Sequence, residues 1–342
     1  MSESVEGDST QSQQQAVRSA QERTLGLYHQ LMKINAASHL IRALRELRII
    51  ELLREQQCTA EQIWTRLTLK PDVVIQILDA AVAIGIVEQY QEDYALSRAS
   101  HLLCQYDHDL ADREWNQLVG LAKGELDRGN LDDQMHANHL AATQWIHTPA
   151  AMEAAEVLDF GNHASNATVE ILDLGCGSAV WTSAMAYRDA SSKITAVDLP
   201  AALEAAQSTA DSIGLGDRFQ AVAADPFKAE LEEAAYDWVV VAQRISAMGE
   251  QRGEQYLSRA AKFLKPNGRL VVIDLVEIGD KPTLADRVES LRLKLSTTQG
   301  ETLTPEGLQG HLKAAGLVNC QFALLSKGNA KIGVAVASRP ES

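Results

Sequence analysis

Residues 169–179 of the chain read V-E-I-L-D-L-G-C-G-S-A. An apolar run closes around Asp173, two glycines follow one residue apart, and a helix-like pattern begins at Val180. This order predicts a strand, a tight turn and a helix, which together open a nucleotide-binding α/β sheet. Gly175 suits the turn because glycine adopts backbone conformations that side chains disfavour, and Gly177 allows a ligand to approach the backbone closely.

The same stretch discriminates between kinds of nucleotide. A dinucleotide fingerprint has a third glycine where this chain has Val180. A sulfonium nucleotide such as S-adenosylmethionine is cationic and carries no phosphate, so carboxylates suit it better. Acids close three consecutive strand-like runs, at Asp173, Asp198 and Asp225, and such strand ends meet at the ligand crevice of an open sheet. Asp198 follows the second glycine by about 20 residues, the spacing of an acid that binds ribose hydroxyls. Taken singly, each acid is equally compatible with a helix cap or a turn.

Three stretches resemble a known family. Residues 170–177 resemble motif I of class I S-adenosylmethionine-dependent methyltransferases. Residues 197–200, V-D-L-P, resemble the ribose-binding turn of the caffeate-type and bacterial small-molecule O-methyltransferases, and residues 264–270 resemble the turn before their fifth strand. The resemblance implies an α/β fold with a Rossmann-like sheet, parallel except for a C-terminal antiparallel hairpin, together with an N-terminal helical winged-helix domain.

The resemblance also implies the chemistry. It implies S-adenosylmethionine as the cofactor and a small-molecule acceptor, with O-methylation as the expected reaction. The cofactor-binding residues that it implies are Asp173, Gly175, Gly177, Asp198, Leu199, Asp225, Pro226 and Gln243.

The catalytic residue of the plant-type enzymes is missing. These enzymes carry a His–Asp pair after the fourth strand, where a gap-free alignment places Ser246 and Ala247. Three interpretations stay open: an acceptor that needs no strong base, a base supplied from elsewhere, or a cofactor-binding homologue that transfers no methyl group. Candidates for a base from elsewhere are His139, His147 and Arg244.

The residue patterns predict four segments. An acidic, disordered tail is expected over residues 1–20, a winged-helix dimerisation domain over 21–111, a helical bridge over 112–166 and the S-adenosylmethionine-binding domain over 167–342. The winged-helix prediction rests on a helix, a short helix, a longer helix and a hairpin in that order.

The amino-acid composition limits the kinds of partner that the protein can bind. The 342 residues carry a net charge of −15, which disfavours nucleic acid because that affinity comes mainly from Lys and Arg. Residues 72–79, the recognition helix of a DNA reader, contain neither. The resemblance implies that this module builds a homodimer interface, and its composition makes a winged-helix regulator the less favoured alternative. No stretch approaches the roughly 20 apolar residues of a membrane span. The four cysteines are widely spaced, which predicts reduced thiols in a cytoplasmic protein, and no histidines complete a metal-ligand set.

Overall fold

A computed structural model describes residues 6–101, 112–126, 139–161 and 168–341 of the chain. The chain divides into two compact units, Met1–Leu110 and Ala111–Ser342. In the described ranges, no helix is both long enough and apolar enough to cross a bilayer. The segment boundaries that were expected at residues 21, 112 and 167 stay predictions.

In its described residues, the first unit combines helices with a small antiparallel sheet in the strand order β1-β3-β2. A capping box starts the third helix: the Thr59 hydroxyl accepts the Gln62 N–H, and the Gln62 side chain accepts the Thr59 N–H. Pro71 opens the fourth helix, as proline does at a first helical position. The elements are α1 Glu6–Glu46, α2 Ile49–Glu55, β1 Cys58–Thr59, α3 Ala60–Leu67, α4 Pro71–Ala83, β2 Val87–Tyr90 and β3 Asp93–Leu96.

The expected disordered tail is corrected by this structure, because α1 begins at Glu6. Residues 6–20 are rich in Gln, Ala and Ser and contain no proline. Glutamine and alanine are good helix formers, and the one glycine, Gly7, lies in the first turn of α1. The acidic, polar composition suggested disorder, but no proline interrupts the helix. Residues 1–5 lie outside the described ranges.

A seven-stranded sheet forms the centre of the second unit, in the order β6-β5-β4-β7-β8-β10-β9. The first five strands in this order pair in parallel, and β10 is antiparallel to both of its neighbours. This arrangement confirms the predicted parallel sheet with a C-terminal antiparallel hairpin. The strands are β4 Val169–Leu174, β5 Ser192–Asp198, β6 Phe219–Ala223, β7 Tyr236–Ala242, β8 Leu264–Leu275, β9 Val318–Leu324 and β10 Ile332–Ser338.

The order of these strands fixes where a ligand binds. From β4 the chain proceeds outward in one direction to β5 and β6, and then returns to the other side of β4 with β7 and β8. In open α/β sheets the crevice lies at the carboxyl ends of the strands where the order reverses. Here that place is the edge formed by the ends of β4, β5 and β7.

Helices and apolar cores cover both faces of this sheet. Ile171 belongs to one core, while Leu172 and Leu174 belong to the other, which explains why β4 reads as a continuous apolar run rather than as an alternating one. The helices are α5 Asp112–Trp115, α6 Leu118–Lys123, α7 Thr148–Val157, α8 Val180–Arg188, α9 Pro200–Ser212, α10 Ile245–Met248, α11 Glu250–Lys262, α12 Leu284–Ser296 and α13 Pro305–Ala314, with 3₁₀ turns at Gln144–His147 and Gly216–Arg218.

Helix α7 is anchored to the sheet at two places. Its buried alanines, among them Ala151 and Ala154, pack into the same core as the strands. The Glu153 carboxylate accepts the backbone N–H groups of Ser326 and Lys327, at 3.0 and 2.9 Å, in the turn between β9 and β10. These contacts hold the 3₁₀ turn at Gln144–His147, which directly precedes α7, beside the carboxyl edge of the sheet.

Candidate functional site

The turn after β4, residues 175–178, is called the glycine bend below. Gly175 and Gly177 have φ values of 77° and 55°, in the left-handed region that favours glycine. The Gly175 N–H donates to the Val197 carbonyl at 2.9 Å, and the Tyr256 hydroxyl donates to the Leu174 carbonyl at 2.9 Å. The bend is therefore fixed to β5 on one side and to α11 on the other.

Asp198 connects the end of β5 to the glycine bend. One of its carboxylate oxygens accepts the Gly177 N–H at 2.9 Å, and the other accepts the Leu199 N–H at 2.8 Å. The residue is fully buried. These two bonds satisfy one lone pair on each oxygen, and each oxygen has a second lone pair for a ligand hydroxyl.

Asp225 lies farther along the same edge, just after β6. Its carboxylate accepts the Phe227 N–H at 2.9 Å and lies 3.3 Å from the Lys228 ammonium. Pro226 is buried, and the Phe227 ring packs edge-on against Tyr256, with centroids 4.7 Å apart. Asp225 is thus held in place by its own turn while part of its side chain stays accessible.

Asp173, within β4, is the most perturbed acid of the site. Burial raises its pKa to about 7; the Thr182 hydroxyl, 2.5 Å from Oδ2, acts in the lowering direction, and the neighbouring Asp198 charge raises it further. Its other oxygen, Oδ1, is buried without a hydrogen-bond partner in the part of the chain that the structure describes. A buried acceptor without a partner is costly, so this oxygen is a candidate ligand contact.

Gln144 also contacts the bend, and the sequence analysis did not identify it. Its Oε1 accepts the Ser178 N–H at 3.0 Å, and a Cβ built on Gly177 would lie 2.6 Å from the same oxygen. Gln144 is fully buried, and its Nε2 has no partner within the described ranges. An isolated glutamine far from the motif gives no signal in the sequence, and only the packing of α7 brings it to the bend.

A hydrogen-bonded chain links the end of β7 to the turn before α7. The Trp181 indole N–H donates to Gln243 Oε1 at 3.4 Å, and Gln243 Nε2 lies 3.1 Å from His147 Nε2. Because the indole can only donate, the Gln243 amide presents its N–H to His147, whose Nε2 is then the acceptor. Burial lowers the pKa of His147 to about 4; Glu289 raises it and Arg292 lowers it by smaller amounts. His147 is therefore neutral at pH 7.

The other candidate bases lie in different surroundings. Arg244 is almost completely buried against the bend, and a Cβ on Gly175 would lie 2.9 Å from its Nε. A guanidinium stays protonated in proteins, so Arg244 supplies a fixed positive charge. His139 is half-buried at the start of the helical residues 139–143. Ser246 is buried, and its N–H donates to the Asp274 carboxylate at 2.9 Å.

The residues implied as cofactor contacts lie along one edge of the sheet, at the carboxyl ends of four neighbouring strands. They are Asp225 and Pro226 after β6, Asp198 and Leu199 at β5, Asp173, Gly175 and Gly177 at β4, and Gln243 after β7. Within the described part of the chain, no group of three or more His, Cys, Asp or Glu side chains is arranged to hold a metal ion.

Two family models match this chain. Residues 171–268 match a methyltransferase domain. This range contains the glycine bend and the acids Asp173, Asp198 and Asp225, and it omits only the first two residues of β4. Residues 29–106 match an O-methyltransferase dimerisation domain. The chain belongs to the S-adenosylmethionine-dependent methyltransferases. The resemblance drawn from the sequence is confirmed, and S-adenosylmethionine is the cofactor.

Solved structures of related methyltransferases share the fold over nearly their whole length. An O-methyltransferase of unassigned substrate from Nostoc punctiforme has a TM-score of 0.69 at 18% identity, covering 92% of this chain and 98% of its own. Mitomycin 7-O-methyltransferase has a TM-score of 0.69 at 19% identity, covering 95% of this chain and 99% of its own. Human N-acetylserotonin methyltransferase in complex with S-adenosylmethionine has a TM-score of 0.66 at 17% identity, covering 89% of this chain and 94% of its own.

The residues of this methyltransferase fit the cofactor in charge and in hydrogen-bonding capacity. The free lone pairs of Asp198 suit vicinal hydroxyls, and the partnerless Asp173 Oδ1 suits a cationic donor. The Gln144 and Arg244 side chains pack directly on the glycine bend.

Replacing Asp173 by Asn should stabilise the ligand-free methyltransferase in a pH-dependent way. The folded-state pKa, near 7, exceeds the unfolded value of 3.8. Wild-type stability associated with this group is thus complete below the unfolded pKa and is lost as pH rises through 7. Asn does not titrate and still accepts the Thr182 hydroxyl. The melting temperature of Asp173→Asn should exceed that of wild type by about 5 °C at pH 8.5 and by much less at pH 5.

Thermal melts followed by circular dichroism check this expectation. Asp217→Asn, at an exposed position in the second unit, is the control and should change little at either pH. A gain for Asp173→Asn that is the same at both pH values would show that the buried carboxylate is not the source.

Proposed function

We propose that this methyltransferase methylates an oxygen atom of a small-molecule acceptor. The observation that carries the proposal is the combination of an acid-lined glycine bend with an O-methyltransferase dimerisation domain in one chain. The shared fold with mitomycin 7-O-methyltransferase supports a small acceptor. The bound cofactor supplies a methyl group already activated on a sulfonium.

In this proposal each acid along the sheet edge holds one part of the cofactor. Asp198 accepts the ribose hydroxyls with its free lone pairs, and Leu199, next to it, packs on the nucleoside. Asp225 and Pro226 lie on the adenine side, next to β6. Asp173 and the glycine bend lie at the amino-acid end. The complete proposed set is Asp173, Gly175, Gly177, Asp198, Leu199, Asp225, Pro226 and Gln243.

The carboxylates bind the cofactor and do not accelerate the transfer. The positive charge that they stabilise disappears as the methyl group leaves sulfur, so their attraction is weaker in the transition state than in the bound state. The contribution of the protein to rate is therefore alignment of the acceptor with the methyl carbon and exclusion of water.

We further propose His147 as the group that receives the acceptor's proton. Its Nε2 is unprotonated at neutral pH and lies at the carboxyl edge through its contact with Gln243. The single lone pair of Nε2 accepts the Gln243 N–H, so this hydrogen bond must break before Nε2 takes the proton. A base with so low a pKa suits an acidic hydroxyl better than an aliphatic alcohol. Arg244, with its charge fixed at the bend, favours the anionic form of such an acceptor. His139 remains the second candidate base.

Cofactor binding and transfer are tested together with Asp198→Asn. Isothermal titration calorimetry with S-adenosylhomocysteine should show binding that weakens by roughly 10- to 100-fold, because charge-assisted bonds to the ribose are lost. Asp217→Asn serves as the matched control. Labelled S-adenosylmethionine should pass its methyl group to one or more members of a panel of phenols. Transfer only to amines or carbon acids would contradict the O-methylation proposal.

His147 is tested by its pH profile. Replacement by Gln should lower kcat about 100-fold or more. The affinity for S-adenosylhomocysteine should stay nearly unchanged, because the oxygen of the introduced amide can still accept the Gln243 N–H. The pKa of His147 is about 4, so this residue does not titrate between pH 6 and 7. The pH profile of wild-type kcat should therefore contain no step in that range that is absent from the profile of His147→Gln. His101→Gln, exposed in the first unit, is the control. An unchanged kcat in His147→Gln would exclude His147 as the base.

We also propose a winged-helix homodimer that uses α1. This helix exposes a row of large apolar side chains, each more than half accessible: Leu25, Leu27, Tyr28, Leu31, Met32 and Ile34. Contiguous exposed apolar surface of this kind marks a protein interface, and the dimerisation-domain match begins within it. Helix α4 contains no Lys or Arg, so the proposal includes no nucleic-acid partner.

The described cysteines are free thiols, which supports a reducing, cytoplasmic location. A native disulfide found by mass spectrometry would contradict that location.

The dimer is tested by a double charge substitution, Leu27→Glu with Leu31→Glu. Light scattering after gel filtration should give a dimer for wild type and a monomer for the variant, because burying two carboxylates in an apolar interface is unfavourable. Leu284→Glu, which changes an exposed leucine in the second unit, should leave the dimer intact. A wild-type monomer at micromolar concentration would contradict the proposal.

A further inference from the structure

On the basis of the proposed function, we infer that the acceptor is an acid and that Arg292 binds its carboxylate. The proposed function leaves the chemical class of the small acceptor open, and this side chain specifies it. Arg292 lies on α12, and no motif of the sequence marks it as a binding residue.

Helix α12 brings Arg292 to the side of the sheet edge where His147 lies. Leu293, the next residue, is fully buried in the same apolar core as Trp181. The Trp181 ring stacks against the His147 ring, with centroids 5.8 Å apart. The Arg292 charge also acts on the His147 imidazole and contributes to its lowered pKa. An acceptor whose hydroxyl reaches His147 therefore lies next to this guanidinium.

The Arg292 guanidinium is the more deeply buried member of an ion pair with Glu289. Its Nε and Nη2 atoms lie 2.9 and 2.8 Å from the same carboxylate oxygen, Oε2. The Glu289 side chain is 32% exposed, whereas that of Arg292 is 10% exposed. Water therefore screens the negative charge of the pair more than the positive charge. A ligand that approaches from the interior meets the guanidinium rather than the carboxylate.

One edge of this guanidinium has donors to spare. Arg292 Nη1 is buried and has no hydrogen-bond partner in the part of the chain that the structure describes. Because Glu289 occupies the edge formed by Nε and Nη2, the edge formed by Nη1 and the second N–H of Nη2 remains for a ligand. Two parallel N–H groups of this kind match the two oxygens of a carboxylate. A buried donor without a partner is costly, and a ligand carboxylate removes that cost.

His147 and Arg292 together define the acceptor. A base whose pKa is about 4 suits an acidic hydroxyl, such as that of a phenol. The guanidinium suits a carboxylate, and a hydroxyaryl carboxylic acid carries both groups. Its carboxylate then fixes the orientation of the molecule on Arg292, so that the hydroxyl faces the methyl carbon.

The experiment measures acceptor binding by calorimetry, on protein saturated with S-adenosylhomocysteine. The probes are the isomeric hydroxybenzoates and hydroxycinnamates, each compared with its own carboxamide. At least one acid should bind wild type about tenfold or more tightly than its amide, because only the acid forms a charge-assisted pair. Arg292→Gln should abolish this preference, and Arg292→Lys, which keeps the charge without the planar fork, should retain only part of it. Glu289→Gln should strengthen acid binding by about threefold or more, because it removes the carboxylate that shares the guanidinium.

The control is Arg287→Gln, which breaks an ion pair on the same helix, with Glu277 at 2.9 Å, and should leave the preference for acids unchanged. Near-wild-type affinity for S-adenosylhomocysteine shows that a variant is folded. Equal binding of acids and amides by wild type, no binding of any acid, or a preference that survives in Arg292→Gln would overturn the inference. If Arg292→Gln does not fold, acid binding that is unchanged or weaker in Glu289→Gln would overturn it.

Transfer of a labelled methyl group separates this inference from the proposed function. Methylation of the bound acid on its phenol oxygen supports both, whereas formation of the methyl ester would contradict a carboxylate held on Arg292. Acids that bind through Arg292 and receive no methyl group on oxygen would leave the inference standing and contradict O-methylation. Transfer to neutral phenols without binding of any acid would support O-methylation and overturn the inference.

Discussion

The Asp198 carboxylate is the contact on which the site depends. It accepts the Gly177 N–H from the bend after β4 and the Leu199 N–H at the start of α9, and so joins two crossover connections at one buried point. A buried carboxylate without such donors would be strongly unfavourable. The same bonds hold the bend in the left-handed conformation that its glycines allow, and each carboxylate oxygen keeps a second lone pair for a ligand hydroxyl.

This construction concentrates negative charge in the interior. Burial raises the pKa of Asp173 to about 7, and the charge of the neighbouring Asp198 adds to that rise. The Arg244 guanidinium at the bend supplies the compensating positive charge. The buried carboxylates therefore make the site less stable than an apolar core would be. A cationic ligand would neutralise part of this buried negative charge. Such opposition between stability and function is common at binding sites.

Features that depend on local residue order were predictable from the sequence. The strand before Gly175 and the tight turn after it each follow from a short pattern of residues, and the structure confirms them. The helix over residues 6–20 was missed because the acidic, polar composition outweighed the helix-forming glutamines and alanines. Contacts across long sequence separations gave no signal: Gln144 meets Ser178 across 34 residues, and Gln243 meets His147 across 96. The packing of α7 on the sheet brings these side chains together, and no pattern in a single sequence reports it.

A crystal structure with S-adenosylhomocysteine bound is the most direct test of the central claim, that acids on consecutive strand ends hold the cofactor. The account predicts ribose hydroxyls at about 2.5–3.0 Å from the Asp198 carboxylate oxygens, adenine on the Asp225 side and the sulfur beside the glycine bend. A ligand elsewhere in the chain, with Asp198 bonded only to the Gly177 and Leu199 N–H groups, would contradict it.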